Sequence, residues 1–543
     1  MPAFELPQRA SASQLELRHQ ALARARDDYQ WAADTGLPPH ALQLPPEERL
    51  DGRRKKSFLP RVAHAFANRF AAQATSRLLK WDSVETFGGL FPLAPRPKML
   101  GAWQQDSEFA RQRVAGINPI VIARCDALPD NFRIAEGRLA RLLPEGASLA
   151  GEIGARRVFV CDYVAFDNAA CVPGRYLAAP IVLFHKPVGA ALRPIAIQLG
   201  QNPSVHPVVT PNDGKWAWLF AKTAAQSAHH HHQQMLAHLL PCHYFMEPFW
   251  VAANRQLAPS HPVRELLAPH FRYTMYFDEG ARDVVCSAEG SFPRLKATGL
   301  GGSMAIMRQA ARTWRFSEQG FSADLARRGV ASAEVLPDYP YRDDGLLLHA
   351  SIDRYVADML ALFYTSPQDL LDDAELQAWV AELVDPKYGG IKGLPGGGRI
   401  TSLDQLRAIC TDLIFRASAY HAAISDEQAD EMTCVPNLPF ALYRPLPKDI
   451  NTVDEAFVMA ALPGRDQAIH QVFIVHVATS EPVHYLGTPN PNYWRDHPAA
   501  RARRAAFATE MQGISRQIDV RNRTRPNPYR SLDPMRVSES IAN

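Results

Sequence analysis

From Lys215 to about Ser425 the apolar residues recur every three or four positions, the spacing of helices that each bury one face. Upstream the period changes. Between Val158 and Leu199 the runs VFVCDYV, PIVLF and PIAIQL are short and punctuated by glycine and proline, and they predict a small sheet or a set of hairpins. Residues 1–50 are polar and helix-prone, broken at Pro38-Pro39 and Pro45-Pro46. Arg61 to Leu79 (RVAHAFANRFAAQATSRLL) has helical spacing and predicts an arm or lid packed on the body. The basic run Arg53-Arg54-Lys55-Lys56 just before it reads as a solvated loop, with contact to anionic lipid headgroups as the alternative. Past residue 425 the pattern breaks into shorter helices and strand-like pieces such as VFIVHVA, Val472 to Ala478. Gly396-Gly397-Gly398 marks a loop, and no internal repeat is present. The expectation is a mainly α protein: one large helical body with a small β region.

Bulk properties narrow the field further. With 47% hydrophobic and 21% charged residues in 543, the chain can bury a sizeable core, in one unusually large domain or several. A net charge of +3, with no nucleic-acid-binding motif, excludes a nucleic-acid partner. Seven cysteines, scattered and without a CxxC pair, fit a reducing compartment, so a cytoplasmic location is expected. The N-terminus lacks the apolar core of a signal peptide. No run reaches the length of about 18 apolar residues that a membrane span needs, so any lipid contact is expected to be peripheral.

The candidate chemistry lies in Trp218 to Pro269. His238 and His243 stand at i, i+5 on an apolar helix, followed by Glu247-Pro248-Phe249, Asn254-Arg255 and His261-Pro262. Residues at i, i+5 do not share a face of an ideal α-helix, but a π-turn brings them together, and such turns concentrate at functional sites. Imidazole is the commonest protein ligand for iron, copper and zinc, and mixed N/O sites with open positions favour non-haem iron. Far downstream, ASAYHAAIS carries His421 and Ser425 at i, i+4, which do share a face.

These segments resemble the iron-binding helices of the lipoxygenase family, and the ending RNRTRPNPYRSLDPMRVSESIAN resembles the family's C-terminus. DSEFARQRVAGINPIVIARC, RPIAIQLG, FSADLARRGV, DYPYRDDGL, DAELQAWV and HYLGT resemble further family blocks, in the family's order, from about residue 95 onward. The resemblance implies a lipoxygenase-like catalytic domain over 95–543, with 1–94 as an N-terminal helical extension or lid. No run of strands precedes residue 95, as a compact bacterial-type member without the β-barrel would have it.

It also implies a ligand set for one non-haem iron per chain, with manganese as the alternative metal. His238 falls on a ligand position and His243 on a non-ligand position behind it; the remaining position on that helix falls on Gln233, where the family has histidine. Either the Gln233 side-chain oxygen or a swung-in His232 would complete the set, and His229, His230 and His231 are expected on exposed faces or behind the ligands. His421 is a further ligand, Ser425 a weak or water-mediated one, and the main-chain carboxylate of Asn543, where the family has isoleucine, the anionic one. Gln428 matches a glutamine that links the metal to the substrate pocket. Expected pocket walls are Leu236, Leu240, Val285 and Phe473, with Ala281 at the position where alanine accompanies S-configured products. His476 falls where the family has an apolar residue.

The implied reaction takes a hydrogen atom from the methylene between two cis double bonds of a polyunsaturated fatty acid. Dioxygen then adds to the radical, giving a hydroperoxide. The alternatives are a diverged oxygenase on the same scaffold acting on another substrate, and a metal-poor homologue that only binds lipid.

Overall fold

In the computed structural model, which describes residues 4–32, 35–78, 80–479 and 483–541, the runs with helical spacing fold as helices around a large main apolar core. The helices that matter for the site are, in chain order, α1 (Ala12–Asp28), α2 (Gly52–Thr75), α3 (Lys215–His231), α4 (Glu247–Gln256), α5 (Pro340–Leu360), α6 (Ala374–Val384), α7 (Leu403–Phe415), α8 (Arg465–Ala478) and α9 (Pro498–Asn522). Helix α5 packs between α7 and α9.

The predicted β region is a five-stranded antiparallel meander in chain order: β1 (Ala123–Arg124), β2 (Val158–Asp162), β3 (Ile181–His185), β4 (Arg193–Gln198) and β5 (Val208–Val209). All of β3 is buried because both faces of the sheet are covered. Its alternate residues divide accordingly. Val182 and Phe184 join the main core, while Ile181 and Leu183 join a small second core with Leu139, Leu143 and Ile195.

Two local expectations are corrected. VFIVHVA is not a strand but the second half of α8. Its β-branched residues favour a strand, yet Ala468, Ile469, Val472, Phe473 and Val475 bury one helical face, and packing overrides propensity. The basic run 53–56 is not a loop either; it lies in the first turns of α2. Arginine and lysine are good helix formers, and Lys55 and Lys56 stay in solvent while they extend the helix.

Helices α1 and α2 both pack on the body, α1 against α4 and α2 against α8. A capping box starts α1: Ser11 Oγ accepts from Gln14 N, and Gln14 Oε1 accepts from Ser11 N. Its Arg18 makes a buried fork to Glu375 at the start of α6, with Nε to Oε1 at 2.7 Å and Nη2 to Oε2 at 2.8 Å. Arg18 also donates to Ser260 Oγ, and Glu375 accepts from Ala258 N, so every part of the pair is used. Among the described residues no helix is long and apolar enough to cross a membrane.

Removing one member of such a pair leaves the other charged and buried. Glu375→Ala is expected to cost about 3 kcal/mol, read as a lowered thermal midpoint. An unchanged midpoint would show that α1 is only loosely tied.

Candidate metal centre

The metal-type histidines come together because two helices widen. Helix α3 runs directly into a π-helical segment, His232–Tyr244, and α7 into a second, Arg416–Tyr420, which is followed by the short helix His421–Ser425. The i→i+5 pattern of the first segment brings His238 and His243 onto one side. Pro241 favours the change: in an α-helix its ring would crowd the Ala237 carbonyl, and it has no N–H to offer. That carbonyl accepts instead from the Tyr420 hydroxyl at 3.1 Å, which ties the two widened segments together one residue before His421.

Three imidazoles then meet in the core. His238 Nε2 lies 3.0 Å from His421 Nε2 and 3.1 Å from His243 Nε2, and all three rings are buried. Asp278 accepts the His243 Nδ1 proton at 2.6 Å, which leaves the His243 Nε2 lone pair facing the cluster. His238 Nε2 has a nitrogen neighbour on each side, and a single proton there cannot satisfy both. A cation satisfies all three. The spacing is also that of imidazole nitrogens held at right angles on one metal by bonds of about 2.1 Å, which lie about 3.0 Å apart.

Burial disfavours charge on every ring. It lowers the pKa of His238 and His421 well below the ordinary histidine value, with the neighbouring histidines adding to the shift. His243 is lowered to about 4, again chiefly by burial. The same burial raises the Asp278 carboxyl to about 7, against the pull of Arg282. Neutral imidazole is the form that binds metal.

Of the two residues offered to complete the ligand set, His232 does not join this cluster, and the Gln233 side-chain oxygen is buried without a hydrogen-bond partner. Gln233 is buried and its Nε2 donates to the Ile424 carbonyl at 2.7 Å, so it bridges the first segment to the His421 helix. Gln428 donates to the same carbonyl at 3.4 Å. The His232 ring turns toward Asn118, Nδ1 to Nδ2 3.1 Å, in the wall of a cavity of about 340 Å³. His243, expected behind the ligands, stands in one cluster with His238 and His421.

Ser425 donates its hydroxyl to the His421 carbonyl at 2.7 Å, with its oxygen 3.4 Å from His421 Nδ1. Asn543 lies outside the described residues. The chain before it is threaded through the core: Ser538 to Ile541 are buried, and the Ile541 carbonyl lies 3.5 Å from Thr274 Oγ1, on the short helix that carries Asp278.

The expected pocket walls are dispersed. Leu236 lines the same cavity as His232, and Leu240 is core. Ala281 and Val285 bound a third, short π segment. Phe473 and His476 lie on α8 beside α2, with Phe473 4.7 Å from the Phe66 ring. Burial, reinforced by His64 and Arg61, lowers the His476 pKa to about 4.

Asp278 escaped the sequence reading, since nothing in YFDEGARDVV marks one carboxylate as the partner of a histidine 35 residues away. Other residues of the histidine-bearing stretch turn out to brace it. Glu247 pairs with Arg282 at 2.6 Å, Arg255 with Glu382 at 2.6 Å and His261 with Asp373 at 3.0 Å.

His229, His230 and His231 are not exposed; α3 crosses the core and is buried on all sides there. His229 Nδ1 meets the Tyr163 hydroxyl at 2.9 Å, and His231 Nδ1 donates to the Ser227 carbonyl at 2.8 Å. His230 stacks on Phe440 at 3.8 Å and receives the Lys296 ammonium group on Nε2 at 2.9 Å. Lys296 is 1% exposed and, among the described residues, has no carboxylate partner; burial lowers its pKa to about 7.

A helical body with a small meander, a histidine triad on two widened helices and an aspartate behind one ring form a site that could hold a metal ion without haem. The comparisons give the chain's family. The lipoxygenase family model matches residues 94–532, so the chain belongs to the lipoxygenases, which are non-haem iron dioxygenases. It is 31% identical to human polyunsaturated fatty acid lipoxygenase ALOX15B, over 97% of this chain and 80% of that one. It is 33% identical to the linoleate 9/13-lipoxygenase of Pseudomonas aeruginosa, over 84% of this chain and 70% of that one. A solved lipoxygenase in complex with arachidonate superposes with a TM-score of 0.94 at 28% identity, covering 100% of this chain and 84% of its own.

Two measurements probe the electrostatics. Asp278→Asn is expected to weaken metal affinity ten- to a hundredfold, by rough analogy with other carboxylates behind histidine ligands, in competition with a chelator. Undiminished affinity would remove Asp278 from the site. Lys296 binds its proton less readily folded than unfolded, so its contribution to stability rises with pH from about 7 to the ordinary lysine value of 10.5. The thermal midpoint of the wild type should therefore gain on that of Lys296→Met across this window, and parallel curves would contradict the burial of an unpaired amine.

Proposed function

We propose that this lipoxygenase holds one iron on His238, His243 and His421 and inserts dioxygen into the 1,4-pentadiene of a polyunsaturated fatty acid. The observation that carries the metal assignment is the approach of three buried imidazole Nε2 atoms with one tautomer fixed by Asp278. The relatives named for polyunsaturated fatty acids and linoleate, and the related structure in complex with arachidonate, support the substrate class.

Bound iron supplies the one-electron couple that removal of a doubly allylic hydrogen requires. The protein's part is positional. Asp278 keeps the His243 proton on Nδ1 and its Nε2 free. The Tyr420–Ala237 and Gln233–Ile424 hydrogen bonds hold the two histidine-bearing segments at fixed separation, so the donor set forms without reorganisation. Leu239, Leu240 and Ile424 surround the histidines in sequence with buried apolar side chains, which keep water from a radical intermediate.

Protein reconstituted with ferrous iron is expected to retain close to one iron per chain by elemental mass spectrometry and to consume oxygen with linoleate or arachidonate. His421→Ala should lose both. Iron without oxygen uptake on either acid would move the chain to another substrate. Absence of iron after reconstitution would favour the metal-poor, lipid-binding alternative.

A further inference from the structure

Helix α2 has two unlike faces. Ala65, Asn68, Ala72 and, just past its end, Ser76 are buried toward the body, where Asn68 donates to the Leu90 carbonyl at 3.1 Å. The other side presents Leu59, Phe66 and Phe70, spaced seven and four apart and therefore on one stripe, at 61%, 41% and 65% exposure; Leu78 follows at 88%. Phe66 and Phe70 are the only exposed large aromatic residues among the described residues, and their rings stack at 6.5 Å. Exposed apolar residues elsewhere are aliphatic and, taken singly, need no explanation.

Charge identifies what covers this stripe. Residues 52–81 contain eight lysines and arginines and no aspartate or glutamate, whereas the whole chain carries a net charge of only +3. Lys55 and Lys56 lie at one end of the apolar stripe, Arg77 and Lys80 beyond the other, all exposed. An apolar stripe with cations at both ends matches the boundary of a bilayer, where rings and aliphatic side chains enter the acyl edge and cations meet anionic headgroups. A water-soluble protein partner would have to offer an acidic rim around an apolar strip; an anionic bilayer offers both at any point.

We propose that α2 docks this protein on anionic membranes by inserting Leu59, Phe66 and Phe70. The underside of α2 is anchored to α8: Arg61 Nη1 donates to the Thr479 carbonyl at 2.9 Å, and the Arg69 guanidinium lies 4.9 Å from the Phe473 ring. Docking therefore sets the α8 side of the body against the bilayer, the source of a lipid substrate. That purpose rests on the fatty-acid reading; the docking itself does not.

The test is sedimentation of the full-length protein with vesicles, without turnover of any substrate. Binding is expected to vesicles of phosphatidylcholine with 30% phosphatidylglycerol, to fall at least tenfold in pure phosphatidylcholine, and to weaken with salt. Phe70→Asp should reduce binding at least tenfold. Lys55→Glu/Lys56→Glu, placed in solvent where folding is undisturbed, should do so with anionic vesicles alone. Equal binding by both variants, or none by the wild type at low salt, overturns the proposal. So does a dimer in light scattering that Phe70→Asp turns into a monomer, which would assign the stripe to a second copy of the chain. A failed oxygen-uptake test would leave each of these outcomes unchanged.

Discussion

Everything at the centre depends on bringing polar rings together in a dry core, where burial denies their nitrogens water. An α-helix through the core can present histidines on a common face only three, four or seven residues apart. By widening to the i→i+5 pattern, the segment His232–Tyr244 presents two that are five apart. The second widened segment sets His421 opposite them. A backbone so loosened would be free to relax were it not tied across, and the ties are specific: the Tyr420 hydroxyl on the Ala237 carbonyl and the Gln233 amide on the Ile424 carbonyl. Each closes a backbone group of one histidine-bearing segment with a side chain of the other.

The same core tolerates an unusual load of titratable groups. His229, His230, His231 and Lys296 are buried beside aromatic rings, and burial keeps the imidazoles neutral and draws the amine toward neutrality. Low charge in this region suits a site whose ligands must be unprotonated and whose reaction passes through a radical. The arginine nearest Asp278 is matched. Arg282 pairs with Glu247, and that pair braces the approach to Asp278, which in turn orients His243.

Several errors of the sequence reading share one cause. The role of His243 was taken from its place in a motif, but the rings that meet are set by where the backbone widens, which Pro241 hints at and the motif does not state. VFIVHVA has the residues of a strand and the burial of a helix, and the burial comes from neighbours outside the segment. The basic run at 53–56 has the composition of a loop, yet it extends a helix whose far end is fixed by packing on α8. Composition describes a segment in isolation. Its neighbours decide what it becomes.

The chain alone determined the helical body, through its apolar spacing; the small antiparallel sheet, through three short runs between turn residues; and the family, through many short motifs in order. It also marked His238 and His421 as metal-type histidines. Tertiary structure decided that His243 joins them, that Asp278 fixes its tautomer, and that the Gln233 amide spans the two segments. These are contacts between residues 35 to 191 positions apart. Local spacing records which face of a helix a side chain occupies, but not which distant side chain will be waiting there.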